Sequence, residues 1–289
     1  MRQYLFTGVC TALVTPFLDG KVNYPMLKIL LKRQIDAGVK AVVLCGTTGE
    51  APTLTDIEKV KIWEDGKNFT ADDCIIIAGS GSNSTSHAIE LSIQAEQAGV
   101  DALLIVSPYY NKASSDGLFY HYQAIAHHVN IPIIIYNVPS RTGVDIPVNV
   151  YKKLSKITNI VGVKEASNDL SKLARIKNAC GDTFAIWTGN DDLTVPSMAI
   201  GGQGVISVAS NICPKQMLTM TTAAENDDFE SAGKLQCALQ PLIDLMFCEV
   251  NPIPVKSAMR CIGYDCGECR LPLCRIGKEN LQKIEAYFQ

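Results

Sequence analysis

The hydrophobic residues of this chain are grouped in short, β-branched runs that recur at even intervals. Most of these runs are continuously apolar rather than alternating, which is typical of parallel strands covered on both faces. Helical patterns fill the intervals between them. The eight predicted strands are Val9–Thr15, Ala41–Gly46, Ile75–Ser80, Ala102–Ser107, Ile133–Asn137, Ile160–Lys164, Phe184–Gly189 and Gly204–Val208.

Helix ends can be recognised as well. Asn23 is a suitable N-cap, and Gly38 a suitable stop, for a first helix with an apolar face. The segment Thr55–Glu58 has the pattern of a capping box that opens a second helix. In Ala37–Ala41, and again in Ala98–Ala102, a helix end, a glycine and a strand start follow one another, which indicates a weak internal repeat.

Eight strand–helix units within about 210 residues predict a (β/α)8 TIM barrel, because right-handed crossovers close such a set readily. We expect residues 1–213 to form this barrel and residues 214–289 to form additional C-terminal helices packed on it. A doubly wound open sheet is the alternative fold.

Charge and composition narrow the classes of function. The chain has 289 residues and a formal net charge of −3. It has no basic run, which argues against nucleic acids and acidic membranes as partners. No apolar stretch approaches the roughly 18 residues needed to cross a bilayer, and the N-terminus lacks the pattern of a secretory signal. We therefore expect a cytoplasmic protein.

Eleven cysteines are an odd and high number. Four of them, Cys261, Cys266, Cys269 and Cys274, have the spacing C-x4-C-x2-C-x4-C, which could hold zinc or an iron–sulfur cluster. They lie near the end of the chain, away from the other candidate groups. This position favours free, reduced thiols, the usual state in the cytosol, and we expect neither a metal nor a cofactor.

Lys164 ends the apolar run that begins at Ile160. A buried ammonium loses its hydration and must find a partner or give up its proton. An amine without that proton is a nucleophile that can condense with a ketone. The alternative is an ammonium that emerges from the strand end and pairs with an acid such as Glu165.

Reactive side chains recur at the carboxyl ends of five predicted strands, where TIM barrels carry their active sites. Phenols and hydroxyls can relay the protons of Schiff-base chemistry. A Thr-Thr-Gly turn suits one carboxylate and a guanidinium suits a second. Singly, each group has an ordinary structural explanation; together they favour Lys164 as a nucleophile. The segments are Gly46–Glu50, Pro108–Asn111, Tyr136–Arg141, Lys164 and Thr188–Asp192.

Six segments, spread in order over nearly the whole chain, carry a family resemblance. They are GTTGE from Gly46, SPYYNK from Ser107, IIIYNVPSRTG from Ile133, GVKEAS from Gly162, GGQGVISV from Gly201 and NPIPVK from Asn251. On these segments the chain resembles the dihydrodipicolinate synthase family, within the pyruvate-dependent class I aldolases.

The resemblance implies four catalytic residues. Lys164 would form a Schiff base with pyruvate. Tyr136, Thr47 and Tyr110 would form a proton relay, with Tyr110 reaching into the site of a neighbouring subunit. Family members are commonly homotetramers, and the resemblance implies the same assembly here.

Four further residues would bind the substrates. By the resemblance, Thr48 binds the pyruvate carboxylate and Arg141 the carboxylate of L-aspartate semialdehyde. Gly189 and Ile206 would line the pocket through their backbones. The enamine would attack the aldehyde, and cyclisation would release 4-hydroxy-tetrahydrodipicolinate toward lysine.

One departure from the family concerns regulation. Family members inhibited by lysine line a pocket with a serine, two histidines and a glutamate. The matching positions here are Ala51, Asp56, Lys59 and His87, whereas Asn83 and Tyr109 do match. Loss of a carboxylate that could pair with the ammonium of lysine should weaken that site. We expect little or no inhibition by lysine.

Other functions remain open on the sequence alone. A sibling aldolase, such as N-acetylneuraminate lyase or a keto-deoxy-sugar aldolase, would share Lys164 and Tyr136 but typically lacks Arg141. An oxidoreductase is suggested by the glycines of Gly79–Ser84, although the third glycine is missing. A metal-dependent aldolase lacks a histidine pair with suitable spacing. A non-catalytic, pyruvate-binding relative is the last alternative.

Overall fold

Eight parallel strands close into a barrel in residues 4–289, which are the residues that this computed structural model describes. This confirms the predicted TIM barrel, and the alternative of an open sheet is wrong. In chain order the strands are β1 (Gly8–Ala12), β2 (Ala41–Leu44), β3 (Ile75–Gly79), β4 (Ala102–Val106), β5 (Ile133–Asn137), β6 (Ile160–Glu165), β7 (Ala185–Thr188) and β8 (Gly204–Ser207).

Each strand pairs with its neighbours in the sequence, and the ring closes where β1 meets β8. Gly8 lies opposite Gly204 in this closing pair, and Cys10 lies opposite Ala41 in the pair of β1 with β2. All eight predicted strands are present, and their ends differ from the prediction by a few residues at most.

Two apolar cores flank the sheet. The inner core fills the barrel and includes Cys10, Ile77 and Ile134, and the ring of Phe6 stacks on Trp187 with 4.6 Å between centroids. The outer core lies between the strands and the surrounding helices. Because alternate residues of a strand face opposite cores, a polar side chain in the interior is an exception that calls for a functional explanation.

Twelve helices accompany the strands in the described part of the chain. They are α1 (Tyr24–Ala37), α2 (Asp56–Thr70), α3 (Thr85–Gln97), α4 (Ser115–Ala126), α5 (Pro139–Thr142), α6 (Val148–Leu154), α7 (Leu170–Cys180), α8 (Thr194–Ala199), α9 (Pro214–Glu225), α10 (Phe229–Met246), α11 (Ile253–Cys261) and α12 (Lys278–Tyr287). None of them, over residues 4–289, is both long and apolar enough to cross a membrane.

The predicted helix ends are confirmed. The side chain of Asn23 accepts a hydrogen bond from the backbone of Met26, and Gly38 ends α1 with a φ of 97°. Thr55 and Glu58 form the reciprocal bonds of a capping box at α2. Local chemistry thus determines where these two helices start.

The C-terminal helices continue the outer layer. Helix α9 contacts β1, α1 and α10. The division of the chain at residues 213 and 214 stays a prediction, and residues 1–3 of the predicted barrel range lie outside the described residues.

A short antiparallel pair, Phe17–Leu18 with Lys21–Val22, follows β1. The C-terminal segment packs against it: the backbone N–H of Phe17 donates to the carbonyl of Cys266. Gly267 has a φ of 69°, and a Cβ there would be 2.1 Å from the carbonyl oxygen of Phe17. The segment around Cys266 and Gly267 is therefore held close to the residues that follow β1.

Candidate active site

Lys164 and Tyr136 lie side by side on neighbouring strands. They are register partners of β6 and β5, and the Lys164 nitrogen is 4.4 Å from the centroid of the Tyr136 ring. Both side chains are buried, with 5% and 7% of their surfaces exposed. The structure therefore brings together the predicted nucleophile and a phenol.

Lys164 differs from the other buried lysines in residues 4–289. Lys59 pairs with Asp56, Lys172 with Asp145 and Glu165, and Lys256 with Glu50. Lys164 is equally buried, yet no carboxylate of the described residues lies within ion-pair distance of its nitrogen. Among the four buried lysines of this part of the chain, Lys164 is therefore the one whose nitrogen is not used in an ion pair and lies against an aromatic ring instead.

The alternative pairing of Lys164 with Glu165 is not found. The Glu165 carboxylate faces the other side of β6, where it accepts hydrogen bonds from the side chains of Asn137 (2.7 Å) and Tyr151 (3.1 Å). The Lys172 nitrogen lies 3.5 Å from it. Burial raises the pKa of Glu165, and the charge of Lys172 opposes that shift.

Gly189 follows β7 and lies directly against Lys164. A Cβ atom at this position would be 2.8 Å from Cε of Lys164 and 2.8 Å from Cβ of Ala166. The absence of a side chain at residue 189 therefore leaves the space that the lysine occupies. Ile206, in β8, is fully buried in the inner core.

Thr47 and Thr48 form a tight turn after β2. The backbone N–H of Glu50 donates to the carbonyl of Thr47 (3.0 Å), and Glu50 itself has a φ of 57°. Thr47 is half-buried, whereas Thr48 is buried and its hydroxyl oxygen accepts a hydrogen bond from the Asn251 side chain at 3.0 Å. Glu50 pairs with Lys256 at 2.6 Å, which ties the turn to α11.

Arg141 lies in α5, the short helix that follows β5. Its side chain is exposed at the barrel mouth, and Nη2 donates to the carbonyl oxygen of Asn251 at 3.2 Å. The guanidinium keeps further N–H groups that can bind an anion.

Tyr110 is the outlier among the predicted site residues. Its side chain is 90% exposed, and its backbone has a φ of 73°, which is uncommon for a bulky residue. It does not line the cavity of its own subunit, whereas Tyr109 does. Within one chain, the structure does not bring Tyr110 to Lys164.

A cavity of about 530 Å³ connects the barrel mouth with the start of α2. Thr47, Tyr136 and Arg141 line one part of it. The other five predicted site residues, Lys164, Tyr110, Thr48, Gly189 and Ile206, do not line it. Lys164 adjoins it through the Tyr136 ring.

The second part of this cavity is lined by Asp56, Lys59 and His87. Oδ1 of Asp56 is 3.1 Å from the Lys59 nitrogen, and Oδ2 is 2.9 Å from Nε2 of His87. Hydrogen bonds from His87 and Lys59 hold the pKa of Asp56 below its usual value, although burial opposes the shift. The carboxylate in this part of the cavity is thus already engaged.

Two residues near the site were not among the predicted site residues. Asn251 belongs to the NPIPVK segment and contacts both Thr48 and Arg141. Asp191 accepts hydrogen bonds from the backbone N–H groups of Val208 (2.9 Å) and Ala209 (3.0 Å), which joins the loops after β7 and β8. Burial raises the pKa of Asp191. The motif resemblance signalled Asn251, but not its role.

All eleven cysteines are free. Cys266 is fully buried, and burial raises its pKa to about 12, whereas Cys261 and Cys274 are exposed. Over residues 4–289, no group of three or more histidine, cysteine, aspartate or glutamate side chains is arranged to hold a metal.

Comparison with known proteins extends these observations. A family described as the dihydrodipicolinate synthetase family matches residues 5–289. A 4-hydroxy-tetrahydrodipicolinate synthase of Thermoanaerobacter sp. (strain X514) is 46% identical over 283 residues, which are 98% of this chain and 95% of that protein.

Solved structures agree. Dihydrodipicolinate synthase from Aquifex aeolicus is similar with a TM-score of 0.96 and 42% identity, over 98% of this chain and 97% of that one. The enzyme from Cyanidioschyzon merolae, solved with lysine bound, is similar with a TM-score of 0.96 and 38% identity, over 98% and 97%. The resemblance seen in the motifs is confirmed, and the chain belongs to the dihydrodipicolinate synthetase family.

Proposed function

We propose that this protein condenses pyruvate with L-aspartate 4-semialdehyde to give 4-hydroxy-tetrahydrodipicolinate, in lysine biosynthesis through diaminopimelate. The observation that carries the proposal is the buried Lys164 nitrogen, which lies against Tyr136 without a carboxylate partner in residues 4–289. The names of the relatives support the same reaction.

The proposed reaction begins at the nitrogen of Lys164. Its lone pair attacks the ketone carbon of pyruvate, and the carbinolamine loses water to give a Schiff base. These steps move protons to and from the carbinolamine oxygen. Tyr136 contacts the lysine, and Thr47 lines the same cavity as Tyr136, which supports the proposal that both carry those protons.

The carbon–carbon bond follows from the enamine. Loss of a methyl proton from the Schiff base makes that carbon a nucleophile, which attacks the aldehyde carbon of the semialdehyde. The amine of the semialdehyde then displaces the Lys164 nitrogen as the ring closes, which returns the free lysine. No metal or cofactor is required by this sequence of steps.

Four residues are proposed to hold the two substrates. The buried hydroxyl of Thr48 and the backbones of Gly189 and Ile206 would bind pyruvate beside Lys164. Arg141, which is exposed at the mouth, would bind the carboxylate of the semialdehyde through its planar fork.

An oligomer is part of the proposal, because the proposed relay includes Tyr110 of a neighbouring subunit, and the family resemblance makes that oligomer a homotetramer. An exposed tyrosine in a left-handed backbone conformation, outside its own cavity, is suited to complete the site of a neighbouring subunit. The cytoplasmic location expected from the sequence belongs to the same proposal.

The test of the activity is incubation with pyruvate and borohydride, followed by peptide mapping. We expect the reduced adduct on the peptide that carries Lys164, and none in Lys164→Ala. The buried, ion-paired Lys59, Lys172 and Lys256 are internal controls that should stay unmodified. An adduct on any of these three instead of Lys164 would contradict the proposal. Product analysis with N-acetylmannosamine as the alternative aldehyde distinguishes the sibling aldolase.

We further infer that lysine inhibits this enzyme little or not at all. Asp56 is paired with Lys59 and His87, and Lys59 places a second ammonium in the cavity that lysine would enter. We expect full activity at millimolar lysine, and we expect inhibition to appear in a variant carrying A51S, D56H, K59H and H87E. Half-maximal inhibition of the unaltered enzyme below 1 millimolar (roughly 4 kcal/mol of binding free energy) would overturn this inference.

A further inference from the structure

Asn251 connects two residues that are proposed to bind different substrates. Its side-chain nitrogen Nδ2 donates to the hydroxyl oxygen of Thr48 at 3.0 Å. Its backbone carbonyl accepts a hydrogen bond from Nη2 of Arg141 at 3.2 Å. The residue is 5% exposed, so that water does not compete strongly for its bond to the buried Thr48.

The direction of the bond to Thr48 decides what the hydroxyl can do. A threonine hydroxyl has one proton to donate and two lone pairs that accept. Since the Asn251 amide donates, one lone pair of Thr48 is used and its proton is left for another acceptor. A hydrogen bond accepted by a hydroxyl also polarises its O–H bond and makes it a better donor.

The remaining oxygen of Asn251 supports a positioning role. Oδ1 is buried and has no hydrogen-bond partner among the described residues. A buried polar atom without a partner is unfavourable, so a contribution to stability does not by itself explain an asparagine at this position. The amide is held here by its contact with Thr48 and by the bond between its own backbone and Arg141.

We propose that Asn251 is a positioning residue that orients the Thr48 hydroxyl proton toward the pyruvate carboxylate. This inference rests on the function proposed above. The inference predicts different effects on the two substrates. The side-chain amide contacts Thr48 alone, whereas Arg141 bonds to the backbone carbonyl, which any residue substituted at position 251 still provides.

The experiment compares two variants of the full-length enzyme. Asn251→Ala removes the donor, and we expect the pyruvate KM to rise about tenfold, the effect of losing one hydrogen bond to a charged group. Asn251→Asp keeps the shape but replaces the donor by an acceptor with negative charge. The new carboxylate should accept a hydrogen bond from the Thr48 hydroxyl and repel the carboxylate of pyruvate. The pyruvate KM should therefore rise about a hundredfold. The KM of the semialdehyde should change less than threefold in both variants.

A double-mutant cycle tests the pathway of the effect. In a Thr48→Val background, which lacks the hydroxyl, Asn251→Ala should cause no further rise in the pyruvate KM. Asn159→Ala is the matched control, because the Asn159 amide donates to the carbonyls of Ala126 and Val129, away from the site. We expect it to leave both KM values unchanged.

The outcomes that overturn the inference are distinct from failure of the proposed function. If unaltered protein forms the pyruvate adduct at Lys164 but Asn251→Asp has an unchanged pyruvate KM, the proposed direction of the bond is wrong. An equal rise in the KM of both substrates would show a general loss of structure instead. If Asn251→Ala does not fold, the isosteric Asn251→Asp still decides. Absence of the adduct in unaltered protein would refute the function itself.

Discussion

The backbone of Gly189 lies so close to Lys164 that a Cβ atom at residue 189 would be 2.8 Å from Cε of the lysine. We predict that Gly189→Ala displaces the lysine side chain and slows borohydride-trapped adduct formation at least about tenfold, since small displacements of a reacting group are costly.

Gly233→Ala is the matched control for this prediction. Gly233 lies within α10, and a Cβ there would meet nothing within 4 Å. This substitution should leave adduct formation unchanged and raise the free energy of unfolding by about 0.5–1 kcal/mol. Equal rates of trapping in both variants would show that the space at Gly189 is unimportant.

The Glu50–Lys256 ion pair is expected to matter for stability. The side chain of Glu50 is 0% exposed and that of Lys256 is 3% exposed. Oε1 of Glu50 lies 2.6 Å from Nζ of Lys256. Glu50→Gln leaves a buried ammonium without its counter-charge, which should lower the free energy of unfolding by about 3–5 kcal/mol in urea titrations. Removing both charges, in Glu50→Gln with Lys256→Met, should cost less than the single change.

An exposed pair provides the comparison for that experiment. Lys32 and Asp36 are 65% and 58% exposed, and Lys32→Met should change stability by less than about 0.5 kcal/mol. A loss below about 1 kcal/mol in Glu50→Gln would mean that water reaches Lys256.

Glu165 provides a test that separates stability from chemistry. Its carboxylate lies on the face of β6 opposite to Lys164 and is bonded to Asn137 and Tyr151. We predict that Glu165→Gln lowers the free energy of unfolding by about 1–2 kcal/mol, because the Lys172 ammonium loses one of its two carboxylate partners but keeps Asp145. Pyruvate should still be trapped on Lys164. Loss of trapping in a folded variant would mean that Glu165 acts in the reaction.

His121 should make stability depend on pH. Its Nδ1 is 3.0 Å from the Thr85 hydroxyl oxygen, and burial lowers its pKa from 6.5 to about 4. Between pH 6.5 and about 4, His121 is therefore protonated in the unfolded chain but neutral in the folded chain. The contribution of neutral His121 to the free energy of unfolding is fully present above pH 6.5. It is lost as the pH falls toward 4, by about 3 kcal/mol in total.

The measurement is urea unfolding at several pH values between 7.5 and 4. In His121→Gln, the loss of stability over this window should be about 3 kcal/mol smaller than in unaltered protein. His127→Gln, at an exposed histidine, should retain the full pH dependence. Identical slopes for all three proteins would show that His121 accepts a proton in the folded state.

The strands, the caps and the place of Lys164 could be predicted because they follow from local patterns. Continuous apolar runs predicted the eight strands, and Asn23 and Thr55 predicted two helix starts. The clustering of Lys164 with Tyr136 followed from the rule that strand ends of a barrel converge.

The supports of the site could not be predicted in this way. Thr48 and Asn251 are 203 positions apart, and Glu50 and Lys256 are 206 apart. No local periodicity records such contacts, because they arise only when the C-terminal helices dock on the barrel. The pair Phe17–Leu18 with Lys21–Val22 was missed for a different reason: its strands are too short to show a pattern.

Closure of the barrel joins segments that are synthesised far apart in time. β1 pairs with both β2 and β8, so the barrel can close only after Gly204, the partner of Gly8, has been synthesised. Contacts of such sequence separation form slowly. Asn251 and Lys256 are synthesised still later, so a nascent chain on the ribosome contains Lys164 long before the turn at Thr48 gains its contacts with α11 and the segment before it.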